Sequence, residues 1–234
     1  MRGLRTGVVL MLALTATSAA AKHSKQAAFA EPGDIIAAEG NFSHVSAAKG
    51  MKAAIRATAV ANAQIIAPQL MRATQFADSA AAGQAPPQWH TRQLWMSCDG
   101  SIAVTHGEWQ RTPATGSPAT GWFATIWQRQ KGGDYKWVLV ETGPLQAAPT
   151  ESDMIAATVA DCPVRRARGA AGKDEAAAPD HGKPPVADYR SGQSDDATLE
   201  WVTHQGADDN HAFVLRLKQD GALHEVLRAT TPGA

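Results

Sequence analysis

The chain has 234 residues, enough for one well-buried domain with an appended segment, and its 22 Lys and Arg balance 22 Asp and Glu. A formal net charge of zero without a basic run argues against binding to nucleic acid. No stretch beyond the N-terminal segment is apolar enough to span a bilayer, so we expect no stable membrane span.

The N-terminus has the pattern of an export signal. Two arginines precede an apolar run at residues 7–16, and three successive alanines end at Ala21. This pattern predicts a signal peptide over residues 1–21, cleaved near Ala21, followed by a flexible lead-in over 22–30. We therefore expect the mature protein to be periplasmic or secreted, in a compartment where disulfides persist.

Three helices are predicted next. The first begins at residue 31, because Pro32 suits a first helical turn and apolar residues then recur at helical spacing up to the glycine at position 50. Residues 51–64 are rich in alanine and predict a second helix that ends near Pro68. Residues 74–83 predict a third, shorter helix.

After two prolines at positions 86 and 87 the period changes to that of β-strands. An Asp-Gly hairpin, a polar loop and a Gly-Gly-Asp turn separate four predicted strands, at 88–97, 101–111, 122–130 and 135–142. Helices followed by an antiparallel meander predict an α+β fold, with the helices packed on one face of a curved sheet.

The C-terminal third divides into three parts. Residues 150–161 have apolar residues at helical spacing, and residues 164–187 are rich in Ala, Pro, Gly and charge, which predicts a disordered linker. Residues 188–229 predict a small three-stranded β meander, with strands at 198–204, 211–218 and 223–229. A meander of this size lacks its own core, so we expect it to dock on the main domain or on a partner.

One stretch resembles a known superfamily. "GWFATIWQRQKGGDYKWVLVETG" has the form G-aromatic-x-x-x-W-x-R, a Gly/Asp turn, and a second strand with Trp and an acid. The matching residues are Gly121, Phe123, Trp127, Arg129, Trp137 and Glu141. This pattern is similar to the nuclear transport factor 2-like superfamily, especially its SnoaL-like, ketosteroid-isomerase-like exported members. The resemblance covers about residues 31–146 and predicts a domain over 31–163.

The resemblance implies a cone-shaped, cystatin-like fold. A long N-terminal helix lies across a strongly bent antiparallel sheet, and the open end leads to an apolar cavity where members bind ligands or catalyse reactions. Related sequences carry an acidic pair where this chain has Ala61 and Asn62. The missing acids weaken an enzymatic role, because proton abstraction needs a tuned carboxylate in the cavity. Glu39 and Glu141 are the carboxylates that could still point inward.

Two catalytic candidates lie on the predicted strands. Glu141 follows Tyr135, Trp137 and Leu139 at alternate positions, so a regular strand places all four on one face. It is either a base in the cavity or a solvated residue at the sheet rim. His106 shares a face with Val104, and is either a general base or a satisfied, partly buried histidine.

Aromatic residues are concentrated in the predicted sheet. Five of them are candidates to line a ligand pocket or, equally, to form the core: Trp95, Trp109, Phe123, Trp127 and Trp137. Alternation along the third strand divides its residues into two faces, with Phe123, Thr125 and Trp127 against Trp122, Ala124 and Ile126.

Cys98 and Cys162 are the only cysteines of the chain. In an exported protein an even count predicts one structural disulfide, which would join the first hairpin to the segment before the linker. The alternative, a catalytic thiol, needs a base that neither cysteine has nearby in the sequence. The eight histidines form no closely spaced ligand pairs, so we predict no metal site and no cofactor.

Two functional hypotheses follow from these features. The favoured one is a non-catalytic exported module that binds a small apolar ligand or a protein partner, with the sheet as a surface for a homodimer. The other is a small lyase, isomerase or cyclase that acts on a hydrophobic substrate, with Glu141, Glu39 or His106 as its base. A base that faces an enclosed cavity beside a second polar group would support the enzyme.

Overall fold

The computed structural model describes residues 30–80, 87–112, 118–145, 154–162, 189–205 and 210–231. The predicted signal peptide, its lead-in up to residue 29 and the predicted linker lie outside the described residues. Within the described ranges, no helix is both long and apolar enough to cross a membrane.

The helices are α1 (Pro32–Lys49), α2 (Met51–Thr58) and α3 (Ala73–Ala80). Gly50 separates the first two with a φ of 82°, a left-handed value that glycine adopts without the steric cost of a side chain. The first helix begins with its proline in the first turn, as predicted. Its buried face carries Ile35 and Glu39.

The predicted extension of the second helix to residue 64 is wrong. The helix ends at Thr58, and residues Ala59–Ile66 form strand β1. This strand pairs with two neighbours and buries Ala63, Ile65 and Ile66. The alanine-rich sequence favours a helix locally, but sheet pairing and burial of the two isoleucines override that preference.

The main sheet has seven strands in the order β2-β1-β6-β5-β4-β3-β7. Besides β1, its strands are β2 (Leu70–Arg72), β3 (Gln88–Met96), β4 (Ile102–Arg111), β5 (Ala119–Arg129), β6 (Tyr135–Pro144) and β7 (Ala156–Val159). The four central strands form the predicted antiparallel meander, while β1 and β7 join its two sides in parallel. The predicted helical segment near residues 150–161 is therefore wrong where it is described, because residues 156–159 pair with β3.

The C-terminal segment forms a second antiparallel sheet. It has one strand more than predicted, and its order is β11-β10-β9-β8. The strands are β8 (Tyr189–Gln193), β9 (Leu199–Gln205), β10 (His211–Gln219) and β11 (Ala222–Thr231). The predicted α+β class is confirmed, with helices on one side of the main sheet and the small sheet docked on the other.

Residues of the central strands alternate between two hydrophobic cores. The helix-side core lies between the main sheet and the helices, and its large sheet residues are Leu94, Met96, Trp127 and Trp137. The sheet-side core lies between the two sheets. Its members come from both of them, and include Trp95, Val104, Trp122, Ile126, Leu139, Leu199, Phe213, Leu215 and Leu217.

A β-bulge changes the predicted face of Glu141. In the pairing of β5 with β6, Ile126 faces Leu139 but Trp127 faces Trp137, so Val138 is an extra residue. Trp137 therefore belongs to the helix-side core, whereas Leu139 belongs to the sheet-side core. The prediction that Trp137, Leu139 and Glu141 share one face is wrong.

The first hairpin ties the two sheets together. The predicted disulfide joins Cys98 to Cys162, with the two Cα atoms 5.1 Å apart. The backbone N–H of Cys98 donates to Oγ1 of Thr198 at 2.9 Å, and that of Asp99 donates to Oδ2 of Asp196 at 2.8 Å. The turn thus contacts the C-terminal sheet by hydrogen bonds and holds the end of β7 by a covalent bond.

At the other end of the interface between the two sheets, close packing depends on a glycine, Gly143. A Cβ on Gly143 would lie 2.0 Å from Oγ1 of Thr231 and 2.7 Å from Nε1 of Trp122. Both distances are far below van der Waals contact. Strand β11 therefore approaches β6 as closely as it does because position 143 has no side chain.

We expect Cys98→Ser and Cys162→Ser to lower the melting temperature equally. Either change opens the same loop of 64 residues, and a disulfide closing such a loop contributes about 2–4 kcal/mol to the free energy of unfolding. The double variant should be no less stable than either single one. Thermal unfolding under non-reducing conditions tests this, and clearly unequal single effects would contradict it.

We also expect Gly143→Ala to destabilise the protein by about 1–3 kcal/mol, as overpacking of a filled interface does. Gly40→Ala is the matched control, because a Cβ there meets no atom within 4 Å. Because Gly40 lies on the exposed surface of α1, Gly40→Ala should stabilise the protein by about 0.5–1 kcal/mol. Denaturant unfolding measures both, and a neutral Gly143→Ala would show that the sheets separate easily.

Candidate ligand-binding cavity

A cavity lies between the helices and the concave face of the main sheet. About 490 Å³ of empty space lies within its wall when the open solvent at its mouth is included. Its wall is formed by thirteen residues from all three helices and four strands: Glu39, Phe42, Met51, Ile55, Ile65, Phe76, Trp89, Phe123, Thr125, Trp127, Trp137, Val140 and Thr142. Apolar side chains dominate this wall, as in most small-molecule sites.

Aromatic rings and hydrogen bonds hold the wall in place. Trp89 packs edge-on against Phe42, with ring centroids 5.8 Å apart, and against Phe123 at 5.0 Å. On the opposite side, the indole N–H of Trp137 donates to Oγ1 of Thr58 at 3.0 Å. The last residue of α2 is therefore fixed against β6 at the edge of the cavity.

Glu39 is the one ionisable side chain among the described residues of the wall. It lies on the inner face of α1, one turn after Ile35, and is only 9% exposed. Its Oε1 accepts hydrogen bonds from the hydroxyl of Thr105 and from the indole N–H of Trp127, the latter at 3.1 Å. No described residue donates to Oε2.

Burial raises the pKa of Glu39 above its ordinary value, and the hydrogen bonds from Thr105 and Trp127 oppose this rise only in part. Both of these hydrogen bonds go to Oε1. Oε2 is therefore the carboxyl oxygen that remains for a ligand, and in the ionised acid it is an acceptor.

The structure brings together three of the five aromatic candidates. Phe123, Trp127 and Trp137 line the cavity. Trp109 does not line the cavity, but its indole N–H donates to Oγ1 of Thr142, a lining residue, at 2.8 Å. Trp95 packs in the sheet-side core instead. The predicted alternation along β5 is confirmed, since Trp122 belongs to that second core.

Neither Glu141 nor His106 lines the cavity. Glu141 is 1% exposed and lies opposite Ala124, a residue of the sheet-side core. Its carboxylate oxygens have no hydrogen-bond partner among the described residues. Burial raises the pKa of Glu141 to about 8, although the nearby hydroxyl of Thr203 lowers it slightly.

His106 is also on the sheet-side face, with its ring centroid 6.3 Å from that of Trp122. Burial lowers the pKa of His106, and the charge of Glu108 raises it to a smaller extent. Among the described residues no group of three or more His, Cys, Asp or Glu side chains could hold a metal ion.

Several residues of the cavity wall were not among the sequence candidates, namely Phe42, Met51, Ile55, Ile65, Phe76, Trp89 and Val140. For α1, the sequence contains a pattern that could have identified the residues facing the cavity. Glu39 follows Ile35 by four residues and precedes Phe42 by three, so helical periodicity places all three on one buried face. No comparable signal relates Phe76 and Trp89 to that face, because they lie on separate elements.

No protein-family model matches the chain, and no curated protein is similar to it. Similar solved structures include a candidate ketosteroid isomerase from Shewanella frigidimarina, at 16% identity and a TM-score of 0.39, covering 47% of this chain and 94% of that one. A candidate aromatic ring hydroxylase from Novosphingobium aromaticivorans has 13% identity and a TM-score of 0.41, over 50% and 91%. A nuclear transport factor 2-like superfamily protein from Salmonella enterica has 14% identity and a TM-score of 0.36, over 51% and 92%.

Glu141→Gln should stabilise the protein at alkaline pH. The pKa of Glu141 is raised in the folded protein from 4.5 to about 8, so the folded state retains a proton that the unfolded chain has lost. The free energy of unfolding of the wild type therefore falls as pH rises from 4.5 to 8. Gln cannot ionise, and above pH 8 the variant should be more stable by a few kcal/mol.

The difference between the two proteins should vanish near pH 4. Glu225 provides a contrast, because its exposed carboxylate is paired with Arg228 and has a lowered pKa. Glu225→Gln should cause a small loss of stability at neutral pH, of the opposite sign. Denaturant unfolding between pH 4 and 9 measures these profiles, and a pH-independent effect of Glu141→Gln would contradict the buried-acid interpretation.

Proposed function

We propose that this protein binds a small, largely apolar molecule in the cavity between its helices and its main sheet. The single observation that carries the proposal is an aromatic wall with one buried carboxylate, Glu39. Apolar rings give such a site its affinity, and a single polar group orients the ligand. The lining of the cavity supports a small-molecule ligand over a protein partner, because a partner needs an exposed surface.

A binding role without catalysis is the function that we favour. Of the three candidate bases from the sequence, Glu141 and His106 do not line the cavity, and only Glu39 does. Glu141 and His106 both lie on the sheet-side face of the main sheet. The positions of the acidic pair in related sequences hold Ala61 and Asn62, which are exposed on β1.

Glu39 supports a second candidate function, a lyase, isomerase or cyclase acting on a hydrophobic substrate. Its raised pKa and its unpaired Oε2 are the properties that a general acid or base needs. Thr105 and Trp127 are the polar groups within hydrogen-bond reach. A search for turnover with lipophilic carbonyl compounds, with Glu39→Gln as the inactive control, distinguishes catalysis from binding.

We further propose that the mature protein acts outside the cytoplasm, after cleavage near Ala21. The disulfide between Cys98 and Cys162 supports an oxidising compartment. We also propose that two copies of the protein form a homodimer through the main sheet. One face of that sheet packs against the helices and the other against the C-terminal sheet, so a second copy would have to use an edge.

We expect the wild type to bind a neutral probe of this size, 2-phenylethanol, with a rise in melting temperature that grows with ligand concentration. Met51→Trp should weaken binding roughly tenfold or more, since a larger side chain at the wall of the cavity occupies ligand space. Ile36→Trp is the matched control, because Ile36 is 41% exposed on α1 and does not line the cavity.

Calorimetric titration of the three proteins measures these affinities. Equal binding by Met51→Trp and the wild type would show that the probe binds elsewhere. Absence of binding to the wild type by this probe, by its amine analogue and by its acid analogue would overturn the proposed function.

A further inference from the structure

We propose that the ligand of this cavity is a small lipophilic amine, held as its ammonium ion by Oε2 of Glu39 and surrounded by aromatic rings. The inference rests on the proposed function, since it names the chemical class of the molecule that the same cavity binds. The hydrogen-bond donors and acceptors that remain available at the wall favour this class of ligand.

Most donors at the wall are already used within the protein. The indole N–H of Trp127 and the hydroxyl of Thr105 both donate to Glu39. The indole N–H of Trp137 donates to Thr58, and the hydroxyl of Thr142 donates to the carbonyl oxygen of Trp122 at 2.6 Å. A ligand that needs donors, such as a carboxylate, therefore finds few in this cavity.

Two further donors do not change this balance. The indole nitrogen of Trp89 is buried from solvent and has no partner among the described residues, so it is one donor of a wall residue that remains unused. The hydroxyl of Thr125 can donate or accept. The strongest available group is Oε2 of Glu39, which in its ionised form is an acceptor with negative charge.

The charge of the wall also favours a cation. No other ionisable side chain lines the cavity within the described residues. Titratable or charged groups on the elements that form the wall lie off it: Asp34, His44 and Lys49 on α1, Lys52 and Arg56 on α2, Asp78 on α3, His90 and Arg92 on β3, Arg129 on β5, and Tyr135, Lys136 and Glu141 on β6. On β4, which carries Thr105, the groups off the wall are His106, Glu108 and Arg111. An ammonium ion would thus restore the ionised state of Glu39 and form a charge-assisted hydrogen bond.

The aromatic residues add a second attraction. Six rings line the cavity: Phe42, Phe76, Trp89, Phe123, Trp127 and Trp137. Aromatic faces attract ammonium groups, most strongly where water is excluded. The same rings accommodate the apolar part of the ligand, so one molecule with a cationic end and a small hydrophobic body satisfies both features of the wall.

The test compares three probes of similar size: phenethylamine, 2-phenylethanol and phenylacetate. Calorimetric titration at pH 7 should give affinity about tenfold or more higher for the amine than for the alcohol, and weakest binding for the carboxylate. Glu39→Gln should abolish the preference, so that this variant binds the amine no more tightly than it binds the alcohol. Glu141→Gln, which changes a buried acid outside the cavity, should retain the preference.

A second measurement uses the wild type alone and does not depend on the folding of any variant. Below the pKa of the amine itself, which resembles that of lysine at about 10.4, its affinity should rise with pH as Glu39 ionises. At any pH where Glu39 is protonated in the free protein, amine binding should release protons, detected as a buffer-dependent binding enthalpy, whereas alcohol binding should release none.

The outcomes separate the two proposals. Equal affinity for amine and alcohol, or an amine preference that survives in Glu39→Gln, overturns the amine assignment and leaves the apolar-ligand function intact. Tighter binding of phenylacetate also overturns it. No binding of any probe overturns the proposed function itself.

Discussion

The structure depends on one constraint, which is that the central strands of the main sheet are buried on both faces. Helices cover one face and a second sheet covers the other. Successive side chains of each strand therefore enter different environments, and a shift of one residue exchanges them. Phe123 and Trp127 line the cavity, whereas Trp122 and Ile126 fill the interface between the sheets.

This constraint separates two buried acids. Glu39 reaches the cavity from α1 and is stabilised by two hydrogen bonds to one oxygen. Glu141 lies on the other side of the sheet, in the interface with the C-terminal segment, because the bulge at Val138 reverses the alternation of β6. Burial raises the pKa of both carboxyls. The first therefore bears on ligand binding and the second on how stability varies with pH.

Most of the fold could be predicted from local patterns. Local residues predict the hairpin at Asp99-Gly100 and the meander that follows. The disulfide between Cys98 and Cys162 could be predicted because the chain has only two cysteines. The predictions were wrong where distant pairing decides the outcome. Residues 59–66 join β6 and residues 156–159 join β3, and no local pattern reports a partner more than sixty residues away.

In the candidate site, too, local patterns predicted some features and the pairing of distant segments decided the others. The sequence by itself determined that aromatic residues would be concentrated in the sheet, and that Phe123 and Trp127 would share one face, because alternation is a local property of a strand. The tertiary structure alone decided which carboxylate faces the cavity. That choice depends on a single extra residue in β6 and on the packing of α1 over the sheet. Both are set by register and by burial across elements, and the identity of one residue does not encode either.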